Sequence, residues 1–181
     1  MEVQKNLLPQ QPPKVKGLDI AGHSTYCDET GGDYYDYLDI DGLSESSVAL
    51  AIGDVMGHGV AAAMLMATAR GILRSRSDEP ASLGGLLTHM NELLVGDTNG
   101  KRFMTMQLVV LDGANGSMAW ASAGHDPPMV YRAADNTFEA LDGGGIPLGL
   151  FGGQSYETER SGPWSRGDVI VLATDGLWEA R

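Results

Sequence analysis

Val48-Ala49-Leu50-Ala51-Ile52-Gly53-Asp54-Val55-Met56-Gly57-His58-Gly59-Val60-Ala61-Ala62 decides how this chain is read. Val48 to Ile52 is a continuous apolar run, the pattern of a strand buried on both faces. Gly53-Asp54 ends it, a glycine-rich loop follows, and Val60 to Arg74 is rich in Ala, Met and Leu, as a helix requires. A second helix is expected over Pro80 to Val95, where Leu83, Leu86, Leu87, Met90, Leu93 and Leu94 form one stripe. Ser77, Asp78, Glu79 and Pro80 offer it capping chemistry. Outward from this pair the strand signals return. Tyr34 to Ile40 lies upstream, and a weak alternation runs from Gly17 to His23. Phe103 to Leu111 and Ser117 to Ala123 flank the turn Asp112-Gly113-Ala114-Asn115-Gly116. Met129 to Arg132 and Asp168 to Ala173 complete the set. Strands enclosing two adjacent helices predict an α+β fold with a largely antiparallel sheet.

The chain has 181 residues, enough for one domain with a sizeable core. Lys and Arg number 12 against 24 Asp and Glu, a net charge of −12. Such a surface repels phosphate backbones and anionic lipid, so no nucleic-acid partner is expected. No apolar run approaches the ~20 residues of a membrane helix, so no direct membrane insertion is expected. Cys27 is the single cysteine and cannot form an internal disulfide, which fits a reducing, cytoplasmic setting. Residues 1–16, with Leu7-Leu8-Pro9 and then Pro12-Pro13, read as a lead-in or linker from an upstream element. Residues 17–181 read as one domain.

The placement of aspartates carries the chemistry. Asp33 precedes the Tyr34 strand in Gly31-Gly32-Asp33. Asp54 follows the apolar strand, and Asp175 follows the Asp168 strand in Thr174-Asp175-Gly176. Carboxylates on rigid strand ends can converge on one point, and converging carboxylates repel unless a cation neutralises them. Oxygen-only ligation suits Mg²⁺ or Mn²⁺, while zinc lacks its Cys/His spacing. Taken singly, each Asp-Gly reads first as a turn. The glycines after Asp54 lack the Lys-Ser/Thr of a nucleotide-binding loop. His58 and His125 are candidate acids or phosphate donors, or loop histidines bonded to backbone. Met56, Met64 and Met66 are expected in the core.

These residues belong to a longer ordered series: Leu7-Leu8-Pro9-Gln10, Gly31-Gly32-Asp33-Tyr34-Tyr35-Asp36, Gly53 to Ala62, Phe103-Met104-Thr105, Ala123-Gly124-His125-Asp126-Pro127-Pro128, Gly145-Ile146-Pro147-Leu148-Gly149 and Thr174 to Arg181. The series resembles the bacterial SpoIIE/RsbU-type branch of the PPM metal-dependent Ser/Thr protein phosphatases, over essentially the whole chain. The resemblance implies a four-layer αββα sandwich of two mainly antiparallel sheets flanked by helices. It also implies two Mn²⁺ or Mg²⁺ ions. Asp54 would bridge both, the Val55 carbonyl would ligate one, Asp175 the other, and Asp33 would bind through water. Asp33, Asp54 and Asp175 would thus be the catalytic acids. The implied substrate is phosphoserine or phosphothreonine on a STAS-type anti-sigma-factor antagonist. An upstream sensor or receiver domain is the implied regulatory partner, and a homodimer is compatible with the pattern.

The series departs from the branch at its end. Related domains continue past Glu179-Ala180-Arg181 to a late aspartate that completes the metal site, so the chain is expected to lack its C-terminal segment and to leave a sheet edge or core face uncovered. The alternative reading is accordingly an inactive pseudophosphatase acting as a binding or sensory module. A Ca²⁺-binding structural domain is a third reading, without EF-hand spacing to support it.

Overall fold

In the computed structural model the described residues are 6–25, 31–40, 42–76 and 82–179. The strands are β1 (Tyr34–Leu38), β2 (Ser47–Val55), β3 (Met104–Asp112), β4 (Ser117–Ala123), β5 (Met129–Arg132), β6 (Thr137–Ala140), β7 (Glu159–Ser161) and β8 (Val169–Val171). The helices are α1 (Val60–Arg76), α2 (Leu83–Thr98) and the short α3 (Gly176–Glu179). One sheet has the order β1-β2-β3-β4-β7 and the other β6-β5-β8. Every strand pairing in both is antiparallel.

The alternation of side chains along a strand divides the molecule into two apolar layers. Ala49, Ala51 and Val55 of β2, with Met104, Met106 and Leu108 of β3, face the helices. They pack there on Ala62, Leu65, Met66, Ala69 and Leu73 of α1 and on Leu86, Leu87, Met90 and Leu94 of α2. Val109, Met118 and Trp120 point the other way, and Leu141, Trp164, Ile170 and Leu172 from the side of the three-stranded sheet close over them. The expected α+β class with two packed antiparallel sheets is what is found. The outer face of the three-stranded sheet carries exposed Met129, Phe138, Val169 and Val171. Arg132 ties that sheet together, pairing with Glu139 at 2.6 Å and Asp168 at 3.1 Å.

The buried carboxylate of Asp36 fixes β1 to α1. Arg74 grips it with Nε and Nη2 at 2.7 Å each, and Tyr34 donates its hydroxyl at 2.9 Å. Burial first, and the Asp36 charge second, push the Tyr34 phenol above its ordinary range. Arg70 Nε donates to the Leu7 carbonyl at 2.9 Å, and Leu8 is buried in the helix-side core.

Several expectations need correction. The Gly17–His23 alternation forms no strand. Its residues lie over β1 instead of pairing with it: a Cβ on Gly22 would meet the rings of Tyr35 and Tyr37. The second helix starts at Leu83, not Pro80, and runs to Thr98. Ser82 is its N-cap, accepting from the Gly85 amide at 2.9 Å, and Asn99 at φ 49° closes it. Residues 77–80, which were expected to cap it, lie outside the described residues. Only Met66 of the three methionines is core. Met64 is on the solvent face of α1 and 66% exposed, and Met56 is exposed in the loop after β2. Leu93 lies off the buried stripe of α2, 46% exposed. β6 and β7 carry mostly polar side chains and gave no strand pattern to read.

Leu94 and Leu93 therefore separate the two faces of α2. Leu94→Ala is expected to cost about 2–5 kcal/mol in urea unfolding, since it opens a cavity in a closed core. Leu93→Ala is expected to stay within about 0.5 kcal/mol.

Candidate metal centre

Strand register assembles the candidate site. Asp54 is the second-last residue of β2 and pairs with Thr105 of β3, so both side chains leave the sheet on the face that meets the second sheet. Tyr34 pairs with Gly53, which carries Asp33 to the same end of the same face. The Val55 amide donates to the Gly32 carbonyl at 3.3 Å and holds that end closed. Gly32 is required by this approach: a Cβ there would stand 2.5 Å from the Val55 carbonyl oxygen. Asp175 comes from the other sheet, just past β8 and immediately before α3. A Cβ on the next residue, Gly176, would lie 3.8 Å from Asp33 Oδ2.

Burial and mutual charge couple the three carboxylates. Burial pushes Asp54 up to about 7, with the charges of Asp33 and Asp175 adding to it and a hydrogen bond to Asp33 adding more. Asp33 is also raised, by burial first and Asp175 second, while hydrogen bonds from Asp54 and Thr174 oppose the shift. Asp54 and Asp33 are hydrogen-bonded to each other, so their titrations are coupled and belong to the pair. Among the described residues no three acidic, histidine or cysteine side chains already stand at the spacing of a closed metal cage. A hard dication that keeps several waters does not need one. Two hydrogen-bonded carboxylates, a third coupled to them and the Val55 carbonyl beside Gly32 are an all-oxygen donor set, and a dication would remove the repulsion that raises both acids. The residues present fit Mg²⁺ or Mn²⁺.

The loop beyond Asp54 is shaped by Gly57 and Gly59, both at positive φ, and Arg102 Nη1 donates to the Met56 carbonyl at 3.1 Å. His58 is exposed in that loop. His125 is buried, and its Nδ1 is 2.9 Å from Thr105 Oγ1. Burial holds its ring below the usual histidine range. His125 is thus joined to the aspartate-bearing strands. Sequence reasoning assigned nothing to Thr105, Arg102, Gln107 or Ser122. Thr105 stood in an ordered motif, and that was its only signal.

Comparison with known proteins agrees with this fold. The family model described as Stage II sporulation protein E (SpoIIE) matches residues 44–181. The phosphoserine phosphatase RsbU of Bacillus subtilis is 31% identical over 180 residues, covering 99% of this chain and 52% of RsbU. The crystal structure of the RsbU and RsbW domains of Rv1364c from Mycobacterium tuberculosis superposes with a TM-score of 0.69 at 30% identity, over 88% of this chain and 42% of that one. The PP2C phosphatase domain of SpoIIE from Bacillus subtilis also gives 0.69, at 19% identity, over 91% of this chain and 44% of that one, a likeness of fold. The chain spans about half the length of RsbU. With the family matched from the approach to β2 through to Arg181, and with the strand-end aspartates where its ordered motifs predict them, the chain belongs to the SpoIIE family, on its RsbU-like branch.

Proposed function

We propose that this chain is a metal-dependent phosphoprotein phosphatase domain that hydrolyses phosphoserine or phosphothreonine on a regulatory protein such as a STAS-type anti-sigma-factor antagonist. The observation that carries the reading is the coupled acid pair. Asp54 is pushed up to about 7 beside Asp33 and Asp175, a charge excess that a dication at that point relieves. Kinship with RsbU, a phosphoserine phosphatase, supports the substrate class.

In this reading Asp54, the Val55 carbonyl and Asp175 would be the direct ligands of two ions, with Asp54 serving both, and Asp33 would contribute through their waters. Bound Mn²⁺ or Mg²⁺ supplies Lewis acidity towards the phosphoryl oxygens and an activated water. The protein's own part is to hold the oxygen donors. The β2–β3 ladder sets Asp54, β1 sets Asp33, and α3 follows Asp175 directly. The charge of −12 favours a substrate that presents a basic surface around its phosphoserine. The contacts of Leu7 and Leu8 with Arg70 and the core support an upstream sensor or receiver acting through α1.

Phosphate release from a phosphoserine peptide is expected to require Mn²⁺ or Mg²⁺ and to fall on the order of a hundredfold or more in Asp54→Asn. A metal-binding chain without turnover would favour the binding module. Stability supplies a separate check. The folded pKa of Asp54 lies above its unfolded value, so its contribution is fully present below about 4 and is lost as pH rises through about 7. Thermal unfolding of the metal-free chain should show Tm falling across that window. Asp54→Asn should flatten the fall, and saturating Mn²⁺ should reverse it at neutral pH.

A further inference from the structure

The face of the five-stranded sheet that meets the second sheet is graded. One end holds Leu50, Val109 and Trp120, all apolar. The next row along holds Ile52, Gln107 and Ser122, register partners across β2, β3 and β4. The last row holds Asp54 opposite Thr105. His125 closes this polar end. Ser122 Oγ accepts from the His125 amide and donates to its carbonyl, both at 3.3 Å, which fixes the backbone. On the ring, Nδ1 meets Thr105 Oγ1 at 2.9 Å, and Thr105 Oγ1 reaches the Asp54 carbonyl at 3.4 Å. His125 is 7% exposed, and its Nε2 is buried without a hydrogen bond of good geometry. Gln107 is 1% exposed, and neither of its amide atoms has a partner. Buried polar atoms left this way are rare, and one beside a site points to a role there.

We propose that His125 is a positioning residue: through Thr105, whose hydroxyl reaches the Asp54 carbonyl, it clamps the Asp54 end of β2 and so sets where that carboxylate stands relative to Asp33 and Asp175. This rests on the reading of Asp54 and Asp175 as metal ligands. The ring suits the task because donation from Nδ1–H to Thr105 Oγ1 leaves the single Thr105 hydrogen for the Asp54 carbonyl, so one neutral imidazole orders both bonds. Outer partners of metal-holding groups commonly change metal affinity ten- to a hundredfold when removed. His125 touches no substrate in this role. Its effect reaches the metal through the spacing of the acids.

The test is Mn²⁺ titration followed by electron paramagnetic resonance, with thermal unfolding of the metal-free chain alongside. Thr105→Val and His125→Leu are expected to weaken Mn²⁺ binding about tenfold or more. Thr105→Ser, which keeps the hydroxyl, is expected to stay within about twofold of wild type. Gln107→Met removes the unpaired amide without touching the clamp, so Tm should rise while Mn²⁺ affinity holds. Should His125→Leu fail to fold, the Thr105→Val and Thr105→Ser pair decides. Folded Thr105→Val binding Mn²⁺ as tightly as wild type would overturn the clamp. So would Gln107→Met weakening Mn²⁺ as much as Thr105→Val, since the effect would then belong to the whole layer between the sheets. A wild-type chain that takes up no Mn²⁺ would overturn the metal reading and the clamp with it.

Discussion

The ladder between β2 and β3 is the constraint on which the rest depends. It runs nine consecutive pairs, from Ser47 opposite Asp112 to Val55 opposite Met104. Because side chains alternate, a slip of one residue would turn Asp54 into the helix-side core and bring Val55 out. Apolar packing on both faces forbids that slip. Ala49, Ala51 and Val55 are held by the helices, while Leu50 is held against Val109 and Trp120. The position of a charged group is thus enforced by uncharged neighbours on either side of it.

The same burial creates the chemistry. Desolvation is the largest cause lifting both Asp33 and Asp54, and mutual repulsion adds to it. Burying like charges together is unfavourable, and the grading of the layer between the sheets limits that penalty. Full apolarity is kept to the Trp120 end, and Thr105, Gln107, Ser122 and His125 lie between it and the acids. Those intermediate polar groups are themselves incompletely paired. Local stability is given up where a function needs polar atoms to be held.

Asp36 shows the opposite treatment of a buried carboxylate. It is as enclosed as any of the described acids, yet it receives two short bonds from Arg74, one from Tyr34 and one from the Tyr37 amide. It joins β1 to α1 and takes no part in the charge excess three residues earlier at Asp33. The two aspartates of Gly31-Gly32-Asp33-Tyr34-Tyr35-Asp36 look alike in sequence. They leave the sheet on opposite faces, one towards the site and the other towards the helices.

Much of this was legible beforehand. β2, β3, β4, β5, α1 and the turn at Asp112–Gly116 announce themselves because apolar runs, helical stripes and turn residues are local signals. The strand-end position of Asp33, Asp54 and Asp175 was equally local. Gly17–His23 misled because alternation alone does not say whether a partner edge is available; here the segment lies over the Tyr35 and Tyr37 rings. β6 and β7 were invisible because short polar strands take their order from their neighbours. Met64 and Leu93 look apolar enough for the core but sit on the wrong side of their helices. By itself, then, the sequence determined the α+β class, the two helices, most strands and the identity of the acids, since propensity and periodicity act over a few residues. Tertiary structure alone decided which acids are drawn together, which one Arg74 neutralises, and that Thr105 and His125 stand together between the sheets. Those outcomes depend on register and burial, which join residues far apart in the chain and leave no local trace.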